Sequence, residues 1–240
     1  VVEEALPFDI SRENQWFQTV LGLAHLAAES ARGRYAICTP DLTGPVDVLA
    51  NMRGPDRLCL DLFDNREQVM AASDAVVDAW AEAYAAIYET VLQAGSPIVQ
   101  WQDLWSEKPY TIPTCDFNAL IGPEDFREVC MPSYVAQAET VGRVIFHLDG
   151  PDAARHAPTL AETPAMTAVQ FTPGAGTPSA VAHLDMFRLL QEAGKPILVY
   201  APAEEVAALV RELDPRGLAI NAPAESPAAL RELEEIVGAR

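Results

Sequence analysis

The sequence predicts a parallel α/β fold, and three observations point there. Short apolar runs recur near residues 35, 98, 144, 167, 196 and 217. Segments with helical periodicity separate them, which is the pattern of βα units. No turn-rich linker, low-complexity stretch or repeat divides the 240 residues, half of them hydrophobic. One domain over residues 1–240 with a large core is therefore expected. Two architectures fit: a (β/α)8 barrel and an open doubly wound sheet.

Each element has a local reason. Ser11 is read as the N-cap of a first helix, with Glu13 and Asn14 in its first turn and apolar residues on to about Ser30. Arg34 to Cys38 reads as a strand, Gly44 to Arg53 as a short helix, and Asp56 to Phe63 as a helix or extended segment. Asp64 or Asn65 caps a long helix to Gln93, which Gly95 ends. Its apolar positions Val69, Val76, Trp80, Tyr84, Ile87 and Val91 step by three, four and seven, marking one face. Pro97 to Trp101 reads as a strand, followed by a long loop to Gly122. Pro123 opens a helix to Val141 that Pro132 should kink or split. The regular alternation then begins: strands at Arg143 to His147, Thr167 to Phe171, Pro196 to Tyr200 and Gly217 to Ile220, and helices at Pro151 to Leu160, Pro178 to Ala193, Pro202 to Leu213 and Ser226 to Val237. Leu230, Leu233 and Val237 are expected to face inward on the last. The first helix has no strand before it, so a barrel would lack its first one or two strands, and the chain would be the later part of a longer one.

Charge excludes some partners. With 35 acidic and 16 basic side chains the net charge is −19. A phosphate backbone needs the opposite sign, so nucleic acid is not expected, nor is an anionic membrane surface. No apolar run reaches the roughly 18–20 residues of a membrane span, and the start shows no signal-peptide pattern. Cys38, Cys59, Cys115 and Cys130 form no C-x-x-C pair and match no zinc-finger spacing, so reduced, mostly buried thiols and a cytoplasmic location are expected.

In parallel α/β folds the working residues gather at the carboxyl ends of strands. That rule selects Thr39 and Asp41, then Gln100, Gln102 and Asp103 with Trp101 and Trp105, then His147 and Asp149, Gln170, Tyr200 and Asn221. His147-Leu148-Asp149-Gly150 stands out. If the strand runs past Phe146, His147 and Asp149 point to one side. Together they can bind one metal ion or act as an acid–base pair. The competing reading is a strand-end histidine with Asp149 capping the next helix. In the long loop, Asp116 reads either as a substrate or metal contact or as a turn-former, and Cys115 either as a thiolate ligand or as a packed hydrophobe. Gly174-Ala175-Gly176 reads as a tight turn, since it lacks the third glycine and the acidic partner of a dinucleotide site. No nucleotide cofactor is expected.

Several segments resemble the uroporphyrinogen decarboxylase superfamily, and its corrinoid methyltransferase branch in particular. They are Thr39-Pro40-Asp41-Leu42-Thr43-Gly44-Pro45, Arg53-Gly54, Asp61-Leu62-Phe63-Asp64-Asn65, Ile121-Gly122-Pro123-Glu124-Asp125-Phe126, Met131-Pro132 and His147-Leu148-Asp149-Gly150. The similarity spans residues 30 to 237. It implies a (β/α)8 barrel. The late Gly-His-Gly loop of the decarboxylases is replaced here by Asn221-Ala222-Pro223. The His-x-Cys pair of the zinc methyltransferases is matched by His147 and Asp149, and no cysteine follows Cys130. A harder divalent site on imidazole and carboxylate, or a metal-free acid–base pair, is what remains.

The resemblance implies methyl transfer to or from a small substrate, with a divalent metal such as zinc and a corrinoid protein as partner. His147, Asp149 and Asp116 are the expected catalytic residues, with His147 and Asp149 as metal ligands. Asp41, Gln102, Trp105, Gln170 and Asn221 are the expected substrate contacts. Decarboxylation of a uroporphyrinogen-type substrate is the alternative enzyme reading. A catalytically degenerate barrel that only binds a ligand or partner is the alternative of another class. An incomplete barrel with open strand edges is expected to self-associate into a homo-oligomer.

Overall fold

The computed structural model describes residues 14–93, 95–96, 98–102, 104–174, 176 and 179–238. Ser11, Pro97, Asp103, Ala175 and Pro178 lie outside them. The fold is mixed α/β and divides into two compact units, one ending at Val144 and the other beginning at Ile145.

The first unit is mainly helical. Helix α1 (Gln15–Ala31) is capped by Asn14, whose side chain accepts from the amides of Trp16 and Phe17 at 3.0 and 3.1 Å. Asn14, expected within the first turn, is thus the cap. Strand β1 (Ile37–Cys38) is followed by α2 (Pro45–Arg53), α3 (Pro55–Asp64) and α4 (Arg66–Gln93). Proline at the first turn of α2 and α3 supplies a preset φ and lacks only an N–H that has no helical partner there. All six positions expected on the inner face of α4, from Val69 to Val91, are buried. Gly95 ends the turn at φ +66°, donating to Leu92 O at 2.8 Å.

Strand β2 (Ile98–Val99) pairs parallel with β1, and β3 (Trp105–Ser106) turns back antiparallel to β2. The alternation rule did not anticipate β3, because a two-residue strand inside a polar loop has no periodicity to read. Tyr110 ties this loop together. Its hydroxyl donates to Leu104 O and accepts from Gln100 N, and its carbonyl accepts from Tyr84 Oη and Gln100 Nε2. Burial pushes the Tyr110 phenol up to about 12.

The helix expected from Pro123 is split. A short turn α5 (Pro123–Asp125) leads through a π-type segment, Phe126–Cys130, into α6 (Met131–Val141). Pro132 offers no N–H to the carbonyl four residues back and its ring crowds that carbonyl. The widened turn just before it relieves both problems.

The second unit has the regular form the sequence predicts. Strands β4 (Ile145–Asp149), β5 (Ala168–Thr172), β6 (Ile197–Tyr200) and β7 (Leu218–Asn221) pair in parallel in that order. Helices α7 (Gly150–Ala153) and α8 (Ala157–Glu162) cross from β4 to β5. Helices α9 (Leu184–Glu192) and α10 (Val206–Glu212) make the next two crossings, and α11 (Pro227–Gly238) closes the run. The strand order rises without a switch.

The core of this unit lies on one sheet face, where Phe146, Leu148, Val169, Phe171, Ile197 and Val199 are all buried. Phe171 meets Phe187 of α9 edge-on at 5.6 Å between ring centres. Lys195, just before β6, is also buried and donates to the carbonyls of Thr163 and Met166 at 2.7 Å each. Desolvation lowers its pKa.

One helix departs from expectation. No residue of α11 is buried, and Leu230 and Val237 are 49% and 56% exposed. Periodicity identifies an apolar stripe, but burial needs an element packed over it. Within this unit α11 meets mainly α10. Among the described residues, no helix is long and apolar enough to cross a membrane.

Candidate functional site

The second face of the β4–β7 sheet carries the polar residues. Strand register pairs His147 with Gln170 and Asp149 with Thr172, and farther along Tyr200 with Asn221. Alternate residues of a strand share a face, and paired residues of neighbouring parallel strands do too. The four residues Asp149, Thr172, Tyr200 and Asn221 thus end their strands at the carboxyl edge. His147 and Gln170 lie one step below.

β4 does continue past Phe146, as the acid–base reading required, so His147 and Asp149 share a side. A ring nitrogen of His147 and a carboxylate oxygen of Asp149 lie within 4.8 Å of each other. Two bonds of about 2.1 Å to one ion span at most about 4.2 Å, so this spacing is of the order at which a single cation takes both. Asp149 also precedes α7 in an extended conformation at the N-cap position, but its side chain makes no capping hydrogen bond. The capping alternative is therefore not what holds this carboxylate.

His147 is buried. Its Nδ1 is hydrogen-bonded to Gln170 Oε1. Gln170 is fully buried and donates from Nε2 to Thr172 Oγ1 at 2.8 Å. Both ends of its amide are engaged within the sheet, so it supports His147 directly. The sequence did not single out Thr172. Its position two residues after Gln170 on a strand is the signal that could have found it.

The remaining candidates belong to the first unit. Asp41 follows β1, and its Oδ1 accepts from Thr43 N at 2.7 Å. It borders a cavity of about 480 Å³ lined chiefly by apolar side chains of α1, β1 and α4, with Trp101 at its edge. Gln102 is buried in the turn between β2 and β3, while Trp105 on β3 is 65% exposed. Asp116 is exposed and opens a 3-10 turn, Asp116–Leu120.

That turn is organised by a residue the sequence reading passed over. Asp47, buried on α2, accepts from Thr114 Oγ1 at 2.9 Å, Asp116 N at 2.9 Å and Phe117 N at 3.0 Å. A carboxylate on the inward side of an apolar helix was the available signal. Thr43 adds a bond from its hydroxyl to that of Thr114 at 2.8 Å. Thr43 has φ +53°, unusual for a β-branched residue, and these bonds hold it there. Cys115 is buried, and burial beside Cys130 pushes its thiol well above its ordinary value. This is the environment of a packed thiol, the second of its two readings.

Comparison of the chain with models of known families, with curated proteins and with solved structures returns no match.

Proposed function

We propose that the chain is an enzyme of the uroporphyrinogen decarboxylase superfamily, built on a (β/α)8 barrel, that transfers a methyl group between a small substrate and a corrinoid partner protein. The observation that supports this most is the His147–Gln170–Thr172 hydrogen-bonded row at the carboxyl edge of β4 and β5, with Asp149 beside it. Working residues of a barrel lie at that edge, and the unbroken strand order of the second unit suits a barrel segment better than a doubly wound sheet.

The donor set is one imidazole nitrogen and one carboxylate oxygen, which suits zinc or a harder divalent ion more than a thiolate site. A bound divalent ion supplies Lewis acidity, lowering the pKa of a substrate hydroxyl or thiol. His147 and Asp149 would hold it. Without an ion, His147 takes the substrate proton and Asp149 steadies the resulting charge. Gln170 keeps the imidazole in place. Asp41 and Asp116 enter the reading as carboxylates that orient substrate, and Gln102, Trp105 and Asn221 as its further contacts.

The test is methyl transfer from methylcobalamin to a panel of small thiols and alcohols, with and without zinc. The wild type should turn over at least one of them, and His147→Ala should lose the activity. Equal rates for the two proteins would remove the reading. Carbon dioxide release from uroporphyrinogen would replace it with decarboxylation.

A further inference from the structure

We infer that the cavity between α1, β1 and α4 is a binding site for a small amine with an apolar body, whose ammonium group is received by Asp41. The residues that line it all belong to the first unit, and the site stands without the methyl-transfer reading. Only the use of that amine as the methyl-transfer substrate rests on that reading.

The cavity holds about 480 Å³, the size of a pocket for a small organic molecule. Close-packed interiors leave few voids larger than a water molecule, so a gap of this size between packed elements is unusual. Its walls belong to the core. Ala24 of α1, Ile37 of β1, and Ile87 and Val91 of α4 line it, and all four are buried. Ala24 and Ala27 lie three residues apart on one side of α1, and Ala27 packs against the cluster of Ile37 and Val91. Their methyl side chains leave open a space that larger ones would fill. Water occupies such a space poorly, because it finds few polar partners there. Thr39 is one, and its hydroxyl already donates to Val99 O at 3.3 Å.

Asp41 sets the chemistry of the ligand. Its Oδ1 accepts from Thr43 N at 2.7 Å, and among the described residues that is the carboxylate's one hydrogen bond, which leaves Oδ2 open to a ligand. Among the described residues no lysine or arginine lines the cavity, and the chain carries a net charge of −19. An anion would meet a carboxylate and no counter-charge. A neutral apolar molecule would take water from that carboxylate and give it no partner. An ammonium group on an apolar body meets both demands. The body displaces water from the walls, and the N–H groups donate to the carboxylate. Trp101, at the edge of the same cavity, adds an aromatic surface of the kind that favours cations.

The experiment is an NMR titration of the full chain, ¹⁵N-labelled in tryptophan, with phenylbutylamine, phenylbutanol and phenylbutyrate, which share an apolar body and differ in charge. The chain has four tryptophans, and the indole signal missing in Trp101→Phe reports on the cavity. The amine should move that signal with a Kd of about 0.1–1 mM. The alcohol should bind at least about fivefold more weakly, and the carboxylate more weakly again. Asp41→Asn keeps the oxygen that accepts from Thr43 and removes the charge, so amine and alcohol should then bind alike. Equal affinity for amine and alcohol in the wild type would overturn the inference, and this comparison decides alone if Asp41→Asn does not fold. A preference for the amine that survives Asp41→Asn would overturn it too, as would a Trp101 signal unmoved at amine concentrations about tenfold above that range. A Trp101 signal that moves when the protein alone is diluted would assign the cavity to a second copy of the chain, with the same consequence. The two readings fail separately. Amine binding with no turnover of methylcobalamin keeps this site and removes methyl transfer, and turnover of thiols or alcohols with no amine binding does the reverse.

Discussion

His147 and Gln170 face each other across the β4–β5 register, buried and joined from Nδ1 to Oε1, with Thr172 holding the far end of the amide. Polar side chains in the middle of a parallel sheet are costly unless each finds a partner. Here the cost is offset by a chain of bonds that leaves one imidazole face-fixed beside a carboxylate.

Asp47 should matter more to stability than its place on a short helix suggests. It accepts three hydrogen bonds while buried, two of them from the amides that open the Asp116 turn. Asp47→Ala should cost about 2–3 kcal/mol. Chemical denaturation checks this, and a change below about 0.5 kcal/mol would show that the turn finds other partners.

Gly44 should tolerate no side chain. A Cβ there would lie 2.0 Å from Thr114 O and 2.5 Å from the Tyr134 hydroxyl, and the first of these is backbone. Tyr134 itself donates to Thr114 O at 2.7 Å. Gly44→Ala should therefore lower stability by at least about 2 kcal/mol, seen as a drop in Tm, although its φ of −102° is open to any residue.

The corner between α2 and α3 should be acid-sensitive. Arg53 Nε meets Asp61 Oδ2 at 2.6 Å, and Asn65 Nδ2 donates to Asp61 Oδ1 at 3.1 Å. The hydrogen bond from Arg53 holds the Asp61 carboxyl below its ordinary value. A group depressed in the folded state contributes stability above its unfolded pKa of about 3.9 and loses it as pH falls through the lower folded value. Asp61→Asn should cost about 1–2 kcal/mol at pH 7, and the gap to wild type should shrink below about pH 4. Urea midpoints at pH 7 and pH 3 measure it; a gap independent of pH would contradict the assignment.

The two apolar helices of the second unit should respond oppositely to substitution. Phe187 of α9 is fully buried against Phe171, and Phe187→Ala should cost about 3–5 kcal/mol. Leu230 of α11 is half exposed, and Leu230→Gln should change stability by no more than about 0.5 kcal/mol in the isolated chain. A large loss at Leu230 would mean that something covers the α11 stripe in solution.

Strands β4 to β7 were legible because buried parallel strands are written as unbroken apolar runs, and α4 because its stripe repeats over about six turns. His147 and Asp149 were legible as polar residues ending such a run. What escaped lacked a periodic signature. β3 is two residues long, Asp47 hides within an apolar helix, and Thr172 matters only through Gln170. The exposure of α11 escaped for another reason: amphipathicity specifies a face, whereas burial depends on a partner that local sequence does not encode. Several segments behind the family resemblance have structural work of their own. Arg53, Asp61 and Asn65 close a corner, and Gly44 makes room for Thr114 and Tyr134. The functional weight of the resemblance therefore falls on His147 and Asp149.

The most direct test of that weight is zinc titration of the purified full chain, followed by elemental analysis of wild type, His147→Ala and Asp149→Asn. The account predicts one equivalent bound by the wild type and a loss of at least about 10-fold in affinity for each variant. Equal affinity and stoichiometry in all three proteins would contradict it.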